Sequence, residues 1–467
     1  MGVSSHEPAA RQTEFMSNSS SSFPPFPAAL ATQVLLQPER AGLAPVETQS
    51  LSVLVRLQAP TRPAQRVPRP RQPQALALVI DKSGSMGGDP LQQARRCARM
   101  VVERLQPADH VAVVEFGSTV RLLWPAVQRG DGQAAIRAIE TIEEGGTTNL
   151  HGGWLQGAQA LADVAGHGIK RVMLLSDGGA NAGETSPEAI AAQCAHQAAW
   201  GVTTSTYGLG EGFNEDLMVR MARAGGGNSY YGDKAEDLME PFQREIDLLD
   251  HLCLRDLRLM AQTPEGVSVE LLNDLPREGH AWRLPDLAWE AEAWAVLRLS
   301  VPVALLPRPG ARLAVLRVTL CGTDVDGNPV ELERSSLALP VMSQADLMSL
   351  APDTLVQRRV AELLAAKSLL EMRQAASGGN WESVETLLAQ AMEQFADNEW
   401  VRSVLDSMKE IARRRELQRL RKEAMYSAAA MNCRLSAHDE QEQFSMAVEA
   451  QAGPSFLRRK SSQGKGQ

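Results

Sequence analysis

The chain has 467 residues, a formal net charge of −9 at pH 7 and a hydrophobic content of 44%. This length allows about three domains with sizeable cores, and the acidic balance argues against general binding of nucleic acids or anionic membranes. The five cysteines are scattered without a CxxC pair, which argues against a disulfide framework or a zinc cluster and favours a reducing compartment. No apolar run approaches the roughly 18 residues of a membrane span, and the N-terminus lacks the pattern of a secretory signal. We therefore expect a cytoplasmic protein.

The first part of the chain changes character twice. Residues 1–27 are polar and of low complexity, which predicts a disordered tail. Residues 28–62 contain QVLLQ and LSVLVRLQ, whose alternation predicts strands. A proline-rich connector at 61–74 follows them.

Residues 75–250 alternate short apolar runs with helical segments. This alternation predicts an α/β fold with a doubly wound, mostly parallel sheet. The runs HVAVVEFGS and TVRLLWP follow each other almost without a connection, which predicts one antiparallel hairpin at the edge of the sheet.

The remainder of the chain divides into three segments. Residues 254–342 carry short strands and turns, which predict a β-sandwich that the strands of 28–62 would complete. Residues 353–425 are predicted to be a helical region. Residues 426–467 lose this periodicity and are predicted to be a second disordered tail.

Polar residues follow two of the predicted parallel strands. Asp81 lies at the carboxyl end of ALALVID, and Asp177 lies at the same end of RVMLLSD. Because ligands of doubly wound sheets bind beyond the carboxyl ends of strands where the strand order reverses, we expect the two carboxylates to share one crevice. Ser83 and Ser85 follow Asp81 at alternate positions.

The oxygen atoms of these side chains indicate a metal site. The loop GGTTNL adds Thr147 or Thr148 to the set. Hydroxyl and carboxylate oxygens without His or Cys suit Mg²⁺, Mn²⁺ or Ca²⁺ better than Zn²⁺. The glycines of DKSGSMGG are predicted to let the loop curl toward the ion. Three hydroxyls and two carboxylates leave an octahedral shell incomplete, so such an ion would attract an anionic oxygen from a partner.

These three segments resemble the metal-ion-dependent adhesion site of the von Willebrand factor type A domain, over about residues 75–250. The resemblance implies direct contact of Ser83, Ser85 and Thr148 with the metal, whereas Asp81 and Asp177 bind it directly or through water. Thr148 is preferred to Thr147 because relatives often carry the ligand threonine directly before Asn and an apolar residue. The β-rich flanks resemble inter-α-trypsin inhibitor heavy chains and bacterial chloride-channel homologues, and GLGEGFNEDLM…AGGGNSYY resembles the bacterial forms in particular.

We therefore expect a non-catalytic, metal-dependent protein-interaction module or scaffold. A partner protein would complete the coordination with an Asp or Glu carboxylate, and a second protein would dock on the C-terminal helices. The residues predicted to contact the first partner are Lys82, Asn149, Gly178, Asn181 and Glu211. Two alternatives remain: a metal-assisted hydrolase, for which we find no convincing general base, and a scaffold whose metal is purely structural.

Overall fold

The structure is a computed structural model that describes residues 32–61, 72–166, 168–210, 212–332, 334–437 and 455–457. The predicted N-terminal tail lies outside these residues, and so does most of the predicted C-terminal tail. The first described elements are strands β1 (Gln33–Pro38) and β2 (Gln49–Gln58), which pair antiparallel with each other.

A six-stranded sheet forms the α/β unit. Its strands are β3 (Ala75–Asp81), β4 (His110–Phe116), β5 (Val120–Gln128), β6 (Lys170–Ser176), β7 (Val202–Leu209) and β8 (Gly226–Gly232). The strand order is β5-β4-β3-β6-β7-β8, and only the β4–β5 pair is antiparallel. The edge hairpin predicted from the sequence is therefore present.

Helices cover both faces of this sheet. They are α1 (Asp89–Arg104), α2 (Gln133–Glu140), α3 (Leu150–Ala162), α4 (Pro187–Ala199), α5 (Glu215–Ala224) and α6 (Met239–His251). Successive strand side chains point to opposite faces. Along β3, Leu76, Leu78 and Ile80 accordingly pack in one hydrophobic cluster with α1, whereas Ala77 and Val79 pack in another with α3. Burial on both faces explains why this strand is an unbroken apolar run.

Two antiparallel sheets form the β-sandwich, which begins directly where α6 ends. Its further strands are β9 (Leu252–Gln262), β10 (Ser268–Leu271), β11 (Arg277–Glu278), β12 (Ala281–Arg283), β13 (Leu287–Ala288), β14 (Ala291–Val301), β15 (Arg312–Asp324), β16 (Pro329–Glu331) and β17 (Ser335–Pro340). One sheet has the order β1-β2-β14-β10, and the other β11-β12-β9-β15-β16 with β13 and β17 attached. The N-terminal strand β2 thus pairs along its full length with β14.

The sandwich core follows from the alternation along these strands. Val53, Val55 and Leu57 of β2 share one hydrophobic cluster with residues of β9 and β15 from the opposite sheet. The intervening Leu54 points to the other face of β2 and packs with Trp294 of β14. The same sheet is therefore apolar on both faces, and its outer face needs a cover.

The C-terminal region is helical, and one of its helices provides this cover. Its helices are α7 (Gln344–Ser349), α8 (Thr354–Ser377), α9 (Trp381–Gln394), α10 (Glu399–Arg413) and α11 (Leu417–Cys433). Val356 and Leu363 of α8 pack against Leu54 and Trp294. No helix in the described part of the chain is sufficiently long and apolar to traverse a lipid bilayer.

The predicted start of the C-terminal tail at residue 426 is wrong. Helix α11 continues to Cys433, because Tyr426, Ala428 and Met431 are buried against neighbouring elements. Two residues of strand β18 (Ser436–Ala437) then pair with β14. The small residues of AMYSAAAMN hid an apolar helix face that becomes evident only when its partners are known.

Helix α11 also lies against the α/β unit. The ring centroids of Tyr426 and Tyr231 are 5.1 Å apart, and the ammonium nitrogen of Lys422 lies 4.5 Å from the centroid of the Phe213 ring. The helical region therefore packs against both the α/β unit and the sandwich.

Candidate metal centre

The centre lies where the strand order of the α/β sheet reverses. Asp81 is the last residue of β3, and Asp177 directly follows β6. These two strands are parallel neighbours, with β4 on the other side of β3. Their carboxyl ends therefore open into the crevice in which doubly wound sheets bind ligands.

Short oxygen–oxygen contacts connect the predicted ligands. The hydroxyl oxygens of Ser83 and Ser85 are 3.2 Å apart, and the Ser85 hydroxyl donates to Asp177 Oδ1 at 2.9 Å. Asp81 Oδ1 accepts from the backbone N–H of Ser83 at 2.8 Å. Neighbouring ligands of an octahedral ion at about 2.1 Å are themselves about 3 Å apart. The spacing of these oxygens therefore fits a small divalent cation.

Thr148 lies beside the same oxygens, whereas Thr147 does not. A methyl group added at Gly178 would lie 3.1 Å from Thr148 Oγ1 and 3.9 Å from Asp81 Oδ2, so both oxygens border one small space. Thr148 is 3% exposed. The Thr147 hydroxyl is instead 3.1 Å from the hydroxyl of Ser118, on the exposed side of the loop. The geometry thus favours Thr148 as the threonine of the centre.

Two of the predicted partner-contacting residues hold the loops of the centre in place. Asn181 Oδ1 accepts from the Thr148 N–H at 2.8 Å, and the Asn181 N–H donates to the Thr148 carbonyl at 3.2 Å. Asn149 caps α3 by accepting from the Gly152 N–H at 3.0 Å. A contact of either asparagine with a partner protein stays a prediction.

The other predicted partner contacts differ in their surroundings. The Lys82 side chain is 18% exposed, and its ammonium lies 3.3 Å from a carboxylate oxygen of the buried Glu115. Gly178 directly follows Asp177 and is partly exposed. Glu211 lies outside the described residues.

The glycines of DKSGSMGG differ in what they contribute. Gly84 does not have a positive φ, and a Cβ added there would contact nothing within 4 Å, whereas Gly88 has a φ of 79°. In the threonine loop, Gly146 has a φ of 95°, and an added Cβ would lie 2.8 Å from the Ser118 nitrogen. This close approach of two loops explains the GG pair before the threonines.

Ser176 is a residue of the centre that the sequence analysis missed. It is fully buried, and its hydroxyl donates a short hydrogen bond to Asp81 Oδ2. Its position directly before Asp177 was the available signal, because a polar residue at the end of a buried strand needs a partner.

Burial controls the protonation of the two carboxyl groups. It raises the pKa of Asp81 to about 6, although hydrogen bonds from Ser176 and Ser83 oppose this rise. Burial also raises the pKa of Asp177, against a hydrogen bond from Ser85. A divalent cation would reverse this penalty by favouring both charged forms. The charged forms of both carboxyl groups are therefore more stable with a bound cation than without one.

We expect the Mg²⁺-dependent rise in melting temperature to be small at about pH 5 and to increase toward about pH 7. The carboxyl of Asp81 must lose its proton before it binds a cation, and its raised pKa delays that loss. Without metal, the folded chain binds more protons than the unfolded chain between the usual aspartate pKa of 3.8 and about 6, so its stability falls as the pH rises through this window. Melting curves with Mg²⁺ and with EDTA at both pH values check this, and equal rises would contradict it.

The candidate ligands include neither His nor Cys, the side chains that are usual at zinc sites. Within the described residues, no group of three or more His, Cys, Asp or Glu side chains is arranged to hold a metal. The centre instead combines two carboxylates with hydroxyls, which are the ligands of hard cations such as Mg²⁺, Mn²⁺ and Ca²⁺.

Comparison with protein families gives the same assignment. Residues 75–244 match the von Willebrand factor type A domain. The chain contains a von Willebrand factor type A domain. Domains of this family commonly use a metal-ion-dependent adhesion site for metal-dependent protein interaction. The matched residues include β3 and β6, the two strands whose ends carry Asp81 and Asp177.

Two known proteins are each similar to part of this chain. An uncharacterized Escherichia coli protein, YfbK, is 34% identical over 177 residues, which are 37% of this chain and 30% of YfbK. Human inter-alpha-trypsin inhibitor heavy chain H3 is 27% identical over 189 residues, which are 38% of this chain and 21% of the heavy chain. The chain thus covers less than a third of either relative.

The fold is shared over a longer stretch. A von Willebrand factor type A protein from Catenulispora acidiphila superposes with a TM-score of 0.64 at 18% identity, over 82% of this chain and 89% of that one. This coverage extends well beyond residues 75–244, so the surrounding strands and helices also have a counterpart of known fold.

Proposed function

We propose that this protein is a non-catalytic scaffold that binds partner proteins through a divalent cation, Mg²⁺ in the first instance and Mn²⁺ or Ca²⁺ as substitutes. Asp81, Ser83, Ser85, Thr148 and Asp177 would hold the ion. An Asp or Glu carboxylate of the partner would complete its coordination. The observation that supports this proposal most directly is the meeting of oxygens from three separate loops at the carboxyl ends of β3 and β6.

The exposure of these residues changes across the centre and suggests the direction of approach. Asp81, Ser83 and Thr148 are 0–3% exposed. Asp177 is partly exposed and Ser85 is exposed. A partner would therefore reach the ion on the side of Ser85 and Asp177, while the buried ligands hold it from below.

The charge balance supports recognition of an anion. Two ionised aspartates neutralise one divalent cation, and the three hydroxyls add no further negative charge. The five ligands leave one position of an octahedral shell open, and a partner carboxylate can bind the ion there without facing an excess of negative charge. Additional carboxylates in the set would have weakened this attraction.

The test is a metal-dependent pull-down with the full chain as bait in a lysate of the source cells. We expect partners that bind with Mg²⁺, that are released by EDTA, and that are absent when the bait carries Asp81→Ala. Asp326→Ala is the matched control, because Asp326 is an exposed aspartate in the turn between β15 and β16.

Melting curves of both variants establish that they are folded. If a folded Asp81→Ala protein still binds every partner, the partners do not bind through the ion. If Mg²⁺ raises the melting temperature of the wild type but no partner depends on it, the metal is structural. No observation favours the hydrolase alternative, and His151, the histidine that follows the GGTTN loop, is bonded to Gln193 at 3.0 Å.

The cysteines support the proposed cytoplasmic location. All five are free thiols, and the three in the α/β unit and at the start of β9, Cys97, Cys194 and Cys253, are buried. Unpaired thiols are usual for proteins of a reducing compartment.

A further inference from the structure

A cavity of about 530 Å³ lies where the α/β unit, the sandwich and α11 meet. The α/β unit contributes residues 226–230 at the beginning of β8, together with parts of α5 and α6. Because β8 is parallel to β7 and its neighbours, this is the amino end of the sheet, opposite the candidate metal centre. The cavity is therefore separate from that centre.

Much of the cavity wall is apolar. Leu248 of α6, Leu275 and Leu284 of the sandwich, and Trp400 and Met425 of the helical region all line it. Pockets for small organic ligands have volumes of about 300–1,000 Å³ and mostly apolar walls with a few polar groups. Both the size and the lining of this cavity correspond to such a pocket.

The charged residues of the wall are mainly arginines. Six arginines line the cavity, against three aspartates. This excess of cations contrasts with the net charge of −9 of the whole chain. Several of these arginines already have carboxylate partners: Arg171 pairs with the buried Glu245 at 2.6 Å, and Arg223 pairs with Asp274 at 2.5 Å.

Arg283 is engaged differently. Its side chain is 6% exposed, and its ion pairs with Asp256 and Glu278 are 3.8 and 3.7 Å long, beyond hydrogen-bond distance. Among the described residues, its guanidinium makes no side-chain hydrogen bond. The guanidinium lies against Gly226, where an added Cβ would be 2.5 Å from Nη2. None of its nitrogens is fully buried without a partner, so the N–H donors of this planar fork remain accessible to a ligand.

We propose that this cavity binds a small organic anion. The acidic group of the ligand, a carboxylate, sulfonate or phosphate, would accept hydrogen bonds from Arg283, and its apolar body would lie against Leu275, Leu284 and Met425. Planar groups with two acceptor oxygens match the guanidinium fork best. These contacts come from the sandwich and the helical region, and the α/β unit supplies the rest of the wall.

The test is a fluorescence titration of the full chain with anilinonaphthalene sulfonate, which combines an aromatic body with a sulfonate. N-phenylnaphthylamine, which has nearly the same body without the charge, is the matched probe. We expect one saturable site that binds the sulfonate about tenfold or more tightly than the neutral probe, as loss of a hydrogen bond to a charged group implies.

Three variants locate the site. Arg283→Met should weaken sulfonate binding about tenfold or more, and Ala429→Phe should abolish it by filling the cavity, because Ala429 is a half-buried lining residue. Arg308→Met removes an exposed arginine of the sandwich that does not line the cavity, and it should leave binding unchanged. Melting curves show whether each variant is folded, and Ala429→Phe decides the matter if Arg283→Met is not. Equal binding of the two probes, or unchanged sulfonate binding in folded Ala429→Phe, would overturn the proposal.

Discussion

Replacing Thr148 with valine is expected to lower the affinity for Mg²⁺ about tenfold or more, since even the groups that orient metal ligands are worth 10–100-fold. The same change at Thr147 is expected to leave the affinity unaltered. Valine has the shape of threonine without its oxygen, so Thr148→Val removes a predicted ligand but little volume. Isothermal titration calorimetry of the wild type and both variants measures the difference.

The adjacent threonine is a sharp control because the two residues share a loop but face different groups. The Thr147 hydroxyl forms a hydrogen bond with that of Ser118, whereas Thr148 lies next to Asp81 and Gly178. A greater loss of affinity in Thr147→Val than in Thr148→Val would show that Thr147, and not Thr148, is the ligand. Equal affinities in all three proteins would remove both threonines from the coordination shell.

Replacing Glu215 with alanine is expected to lower the free energy of unfolding by about 3–5 kcal/mol, as removal of one partner from a buried ion pair does. Glu215 begins α5 and is 3% exposed. Its carboxylate lies 3.0 Å from Arg373 of α8, and 2.7 and 3.7 Å from Arg421 and Lys422 of α11. The substitution leaves Lys422, which is 1% exposed, without this carboxylate in the interior.

Urea denaturation of the full chain checks this expectation. Glu188→Ala is the matched control, because Glu188 pairs with Arg220 on the surface of the same unit, with both side chains at least half exposed. We expect a change within about 1 kcal/mol for the control. Similar losses in both variants would mean that the buried cluster does not fasten the helical region to the α/β unit. A Glu215→Gln variant, which keeps the volume, replaces Glu215→Ala if the latter does not fold.

Much of the α/β unit could be predicted because its signals are local. The run Ala75–Asp81 is buried on both faces and ends in a carboxylate, and the neighbouring run Lys170–Ser176 is followed directly by Asp177. Neighbouring parallel strands that end at one edge bring Asp81 and Asp177 together by topology alone. The position of the crevice could therefore be predicted from the sequence, whereas the binding of a metal by its oxygen atoms stays a prediction.

The details of the centre depend on contacts between loops that no local pattern encodes. Thr147 and Thr148 are chemically identical neighbours, and only the approach of Ser118 to one of them distinguishes their directions. The same approach explains why Gly146, and not Gly84, requires a glycine. Ion pairs between residues far apart in the chain are equally difficult to predict. The sequence around Glu215 indicates only the first turn of a helix, whereas its partner Arg373 lies 158 residues later.

The pairing of β2 with β14 has a consequence for how the protein is made. Gln58 and Glu292 are 234 residues apart in sequence, yet their side chains form a hydrogen bond across adjacent strands. Contacts of such long range form slowly, since the loop between them must close first. During synthesis on the ribosome, β2 therefore emerges long before β14. The parallel sheet, whose residues lie between these two strands in the sequence, can assemble as soon as it is synthesised. During that interval, β1 can pair with one edge of β2, but the edge that will pair with β14 stays open to incorrect pairing.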